Sequence, residues 1–183
     1  MPKKSASTLK IHHPEVVLKA IILSSTSGTN LELANNIKTI ADSLDINSEI
    51  LNLETYSLPL YTPTEEKNGI PPEALKLTEK LIQADLIVAL APEYNGSIPP
   101  IFSNAISWAS RSGQDWRQAF NGKMGIIGTH SGGGGQKVLM SLRIQLEHLG
   151  VMVHPRPIVV NSTKQFTPDS CETILNQIKK LLA

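Results

Sequence analysis

The chain has 183 residues, 40% of them hydrophobic, with 12 Gly, 12 Pro, one Cys and a formal net charge of +1. That length suits one domain with a full core, and the apolar content excludes a disordered chain. The balanced charge offers no basic face for non-specific nucleic-acid binding, and the lone Cys171 excludes a disulfide framework, CxxC redox chemistry and a Cys-rich zinc site.

Residues 1–14, with three lysines in the first ten and then His12, His13 and Pro14, read as a loose tail ahead of a single domain over 15–183. The adjacent histidines lack partners at ligand spacing, so no metal site is expected. The run Val16 to Leu23 (VVLKAIIL) is interrupted by Lys19 and lacks a small-residue cleavage site, which argues against a signal peptide. No segment approaches the roughly 20 apolar residues of a membrane span. A cytoplasmic protein without membrane partners is expected.

Val16 to Leu23 reads instead as a buried parallel strand ending in a Ser/Thr/Gly loop. Leu33, Ile37, Ile40, Ala41 and Leu44 then recur at helical spacing. Ser48 to Leu53 alternates as a second strand, and Glu54 to Ile70 is a long loop punctuated by Pro59, Pro63 and Gly69. Pro71-Pro72-Glu73 opens a helix whose buried face is Leu77, Leu81 and Ala84. Asp85 to Ala91 is a third strand. Pro99-Pro100 opens a helix carrying Ile101, Ala105, Trp108 and Ala109 on one side. Lys123 to Thr129 is a fourth strand, followed by a helix with Val138, Leu139, Leu142, Leu146 and Leu149 that Gly150 terminates. Val151 to Val160, broken by Pro155 and Pro157, reads as an edge strand. Thr167-Pro168 start a last helix that buries Ile174, Ile178, Leu181 and Leu182.

Five βα units in series predict a parallel sheet covered on both faces, with ligands beyond the carboxyl ends of its strands. Three polar, glycine-bearing loops leave that edge: Ser24–Asn30, Pro92–Ile98 and Thr129–Gly135. In the first, Ser25, Ser27, Gly28, Thr29 and Asn30 offer hydroxyls and free N–H groups at a helix start, which suits a phosphate; an ordinary capped turn explains the same residues. The loop is neither GxGxxG nor GxxxxGK[ST]. In the second, Asn95-Gly96 is a turn signal whose N–H groups suit the polar edge of a planar heterocycle, with Tyr94 beside a ring or merely packed. In the third, Ser131 precedes four glycines; five of the 12 glycines fall between Gly128 and Gly135. Their entropy cost is best explained by backbone approaching a flat ligand.

The segment APEYNGSIPPIFSNAISWASR resembles the signature of the NADPH-dependent FMN reductase family. The following FNGK, the Gly-rich loop and LRIQLEHLG ending at Gly150 stand in the family's order, so the resemblance runs from about Val16 to Val160. It implies a flavodoxin-like α/β three-layer sandwich on a five-stranded parallel sheet of order 2-1-3-4-5. It implies FMN as cofactor, NADPH or NADH as donor, and a flavin, quinone, azo compound or metal oxyanion as the small-molecule electron acceptor. It also implies homodimers or homotetramers. By the same resemblance the first loop holds the FMN phosphate, Pro92, Glu93, Tyr94, Asn95 and Gly96 line the isoalloxazine, and Ser131, Gly132 and Gly133 approach it from the other side. No catalytic side chain is expected, because the cofactor carries the chemistry. The family pattern for the first loop is close to GSxRxxSxN; here SSTSGTN is shorter, lacks the Arg and is similar to the hydroxyl-and-amide cradle of flavodoxins.

Two other readings share this fold: an electron carrier of flavodoxin type, and a binding protein that has lost the flavin. A net charge of +1 and only two Trp, three Tyr and three Phe argue against the acidic, aromatic-flanked carrier. Glu93 reads as a helix-edge or interface carboxylate, His130 as a loop packing residue and Cys171 as an apolar filler.

Overall fold

Residues 17–182 are described by a computed structural model. The tail expected over 1–14, with its His12–His13 pair, lies outside the described residues. Six strands form one parallel sheet: β1 (Lys19–Ser24), β2 (Asn47–Asn52), β3 (Leu86–Leu90), β4 (Met124–His130), β5 (Met152–Val153) and β6 (Ile158–Val160). The path β2-β1-β3-β4-β5 is the expected order. The last position, however, is shared by two short strands. β5 pairs Met124 and Gly125 of β4, and β6 pairs Gly128 to His130. Pro155 and Pro157 lie between them and carry no N–H for the ladder, so one edge strand becomes two.

The helices are α1 (Thr29–Ser43), the single-turn α2 (Pro63–Glu66), α3 (Pro72–Gln83), α4 (Pro100–Ala109), α5 (Gln136–His148) and α6 (Pro168–Leu182). Successive strand residues point to opposite faces, and β3 divides its apolar side chains accordingly. Ile87 and Ala89 pack with Leu77 and Leu81 of α3, Phe102 and Ala105 of α4, and Val138 and Leu142 of α5. Leu86, Val88 and Leu90 pack with Leu33 and Ile37 of α1 and Ile174 and Ile178 of α6. Three layers result, and all five residues of β3 are buried. Trp108 is fully buried, with its indole N–H donated to the Pro59 carbonyl.

Some expected boundaries and faces shift. β1 begins at Lys19, and Val17 before it is exposed. Leu53 leaves β2 for a one-turn 3-10 helix. In α6 the inward stripe is Cys171, Ile174, Leu175 and Ile178; Leu181 keeps the stripe's spacing but lies in the last turn of the helix and is 70% exposed. Among the described residues, no helix is long and apolar enough to cross a membrane.

Candidate functional site

Parallel strands bring every βα loop to one edge. β1 therefore delivers Ser25–Gly28, β3 delivers Ala91–Pro99, and β4 delivers Ser131–Gly135 to the same side of the sheet. Side chains from the three loops then tie the loops together.

In the first loop, both the backbone N–H and the hydroxyl of buried Ser25 donate to the Leu90 carbonyl, at 2.9 and 2.8 Å. Buried Asn30 reaches across to β4: its Nδ2 donates to the His130 carbonyl, and the His130 N–H donates to its Oδ1, both at 2.9 Å. The side chains of these two expected ligands are thus engaged in hydrogen bonds within the protein. Ser27, Gly28 and Thr29 remain exposed. Gly28 has φ of +82°, and a Cβ placed there meets no atom within 4 Å. The first N–H of the α1 ladder is that of Glu32, donated to Gly28. The N–H groups of Gly28 to Leu31 precede that ladder and have no partner within the helix. Their positive helix end favours an anion.

The second loop is a two-residue turn. Tyr94 and Ser97 exchange backbone hydrogen bonds at 3.0 and 2.9 Å, and Asn95 and Gly96 both hold positive φ (51° and 75°). That is the backbone geometry for which an Asn-Gly pair is suited. Tyr94 stands out from it, 48% exposed. Glu93 caps α5 from this separate loop, its Oε2 accepting the N–H groups of Lys137 and Val138 at 3.1 and 3.3 Å. The residue at the α5 start is Gly135, which has no side chain to do this. The Glu93 N–H is donated to the Ser131 hydroxyl, which also shares a 2.6 Å hydrogen bond with Thr129.

The glycine cluster divides into two groups. A Cβ at Gly128 would lie 2.7 Å from Leu90 Cδ2, and one at Gly135 would lie 2.5 Å from Thr129 Cγ2. These two glycines serve packing within the protein. A Cβ at Gly132 or Gly133 meets nothing within 4 Å, and both residues are exposed. They are the part of the cluster with open backbone on the same edge as Gly28 and the Asn95-Gly96 turn.

A fourth loop, after β2, also reaches this edge. The Ser27 N–H is donated to Oε2 of Glu54 at 2.8 Å, and Asn52 Nδ2 is donated to the Ser27 hydroxyl at 3.0 Å. Hydrogen bonding from Ser27, hydroxyl first and backbone second, holds the Glu54 carboxyl below its ordinary range. Sequence reasoning missed Asn52 and Glu54; the length of the Glu54–Ile70 loop was the available signal. Further along that loop, Tyr61 packs edge-on to Trp108 and lies under Arg111.

A phosphate fits the exposed N–H groups after Ser27, and a flat heterocycle fits the open backbone at Gly132 and Gly133 together with the Asn95-Gly96 turn. Among the described residues no cluster of three His, Cys, Asp or Glu side chains is placed to hold a metal.

A family model described as NADPH-dependent FMN reductase matches residues 19–165. A quinone reductase of Escherichia coli K12 is 38% identical over 103 residues, 55% of this chain and 53% of that protein, so the match spans about half of that relative. A 2-hydroxy-1,4-benzoquinone reductase of a Burkholderia species is 32% identical over 131 residues, 70% of this chain and 68% of that protein. In structure, the chain is similar to FerB, a flavoenzyme NAD(P)H:acceptor oxidoreductase from Paracoccus denitrificans (TM-score 0.73, 22% identity, covering 90% of this chain and 98% of that one). An archaeal flavodoxin shares the fold at a TM-score of 0.64 and 15% identity, covering 90% of this chain and 99% of that one.

Proposed function

The chain belongs to the NADPH-dependent FMN reductase family, and from that premise we propose that it is an FMN-dependent NAD(P)H oxidoreductase acting on a small electron acceptor, with quinones foremost. The observation that carries this reading is the stapled edge itself. Four hydrogen-bonded ties (Ser25–Leu90, Asn30–His130, Glu93–Ser131 and Glu93–Lys137) hold three loops with open backbone side by side. Bound FMN would supply the redox chemistry, taking hydride from NAD(P)H and passing electrons on. The protein itself then binds and orients. Ser27, Gly28 and Thr29 would hold the phosphate. Pro92, Tyr94, Asn95 and Gly96 would line one side of the ring system, and Gly132 and Gly133 the other. Ser25, Asn30, Glu93 and Ser131 act behind them as positioning residues.

The same reading takes the chain as a cytoplasmic homodimer or homotetramer. A groove of about 420 Å³ between α4 and α5, bounded by Ile106, Trp116, Gln145 and His148, supports self-association. On α5, Met140 and Ile144 are also more than 60% exposed at helical spacing.

The test is a visible spectrum of the purified protein, an FMN titration, and NAD(P)H oxidation with and without a quinone. Flavin binding with quinone-stimulated NAD(P)H oxidation is expected. Flavin binding without any NAD(P)H turnover would identify a carrier, and no flavin binding would overturn the reading altogether.

A further inference from the structure

The acceptor that Glu54 presents to the first loop is of the kind a phosphate would present. Its carboxylate oxygen lies 2.8 Å from the Ser27 N–H, at the mouth of the α1 N-terminus. The carboxylate is held there by its own turn. The Glu54 N–H is donated to Asn52 Oδ1, Thr55 Oγ1 is donated to the Asn52 carbonyl, and Asn52 Nδ2 grips the Ser27 hydroxyl. Glu54 is nevertheless exposed, so its side chain is free to swing into water.

We propose that Glu54 is a specificity-determining residue of the phosphate end of the site, one that lowers affinity for phosphorylated flavins relative to flavins without phosphate. The inference rests on the flavin reading above. A dianionic phosphate arriving at Ser27–Thr29 meets a carboxylate already on one of its donors. Either that carboxylate leaves, surrendering its hydrogen bond, or it stays as a like charge beside the phosphate. Both outcomes cost binding free energy, and neither applies to riboflavin, which ends in a hydroxyl. The family's first-loop pattern would put an Arg near the phosphate; this loop has none, so no cation in the loop offsets the carboxylate.

The experiment compares wild type, Glu54→Gln and Glu54→Ala by fluorescence titration with FMN and with riboflavin. Glutamine keeps the size and can still accept from Ser27, so only the charge is lost. FMN affinity should rise about fivefold in Glu54→Gln, the scale of one exposed charge contact, with riboflavin affinity within about twofold of wild type. Glu54→Ala should shift the FMN-to-riboflavin ratio in the same direction. Equal changes for both ligands, or weaker FMN binding in Glu54→Gln, would overturn the inference while leaving the flavin reading intact. Failure of all three proteins to bind either flavin would overturn both.

Discussion

Asn30 and His130 stand 100 residues apart in the chain and are joined by two reciprocal hydrogen bonds of 2.9 Å. The Asn30 amide pairs with the His130 backbone as a neighbouring strand would, so β4 enters its glycine loop with both main-chain groups satisfied. Asn30→Ala leaves the His130 groups unmatched at a partly buried site. It should cost about 1–3 kcal/mol of stability, measured by urea denaturation. Asn30→Asp retains the acceptor but turns an oxygen toward the His130 carbonyl, so it should lose stability as well.

Glu93 caps α5 from outside the helix. Glu93→Ala should destabilise the protein by about 1 kcal/mol, as loss of an N-terminal cap does. Hydrogen exchange should quicken at Lys137 and Val138 more than in the middle of α5. Uniform protection in the variant would show that the cap contributes nothing.

Gly96 holds φ of +75° inside a turn whose other central residue, Asn95, is also left-handed. A Cβ there would come 3.2 Å from Lys137 Cδ, the end of a side chain able to move. Backbone conformation is therefore the main obstacle. Gly96→Ala should cost about 1–2 kcal/mol, and Gly96→Val more, because β-branched residues are outliers at positive φ. Both should weaken FMN and riboflavin together, unlike the Glu54 variants. Unchanged flavin titrations would remove the turn from the site.

Cys171 is buried on the inward stripe of α6, and burial pushes its thiol up from 9.0 to about 12. Native protein should resist a thiol reagent at about pH 8 and react only after denaturation. The folded state holds the proton more tightly than the unfolded one. Its contribution is thus complete below pH 9.0 and is lost as the pH rises toward about 12. Wild type should lose stability relative to Cys171→Ala over that window.

Much of the fold was legible because it follows from local rules. Apolar runs such as Leu86–Leu90 and helical stripes such as Leu33–Ile37 specify a parallel sheet with helices on both sides. The edge to which the three polar loops run followed from the same alternation. What escaped the sequence was the direction of individual side chains. Ser25, Asn30 and Ser131 have the composition of ligands, yet their side chains bond partners on distant strands and loops, where no spacing rule reaches. The five clustered glycines looked like one feature until neighbours were known; Leu90 and Thr129 claim two of them for packing. Glu54 sat in a stretch without periodicity, where loop length was the one signal and did not point to Ser27.

The divided edge at β5 and β6 also affects how this protein resists misassembly. An open sheet edge is a template on which another chain can add a strand. Here the two edge segments are two and three residues long, separated by a bend with Pro155 and Pro157. A foreign strand would find too few consecutive donors and acceptors to hold its register. This edge is closed to runaway strand addition.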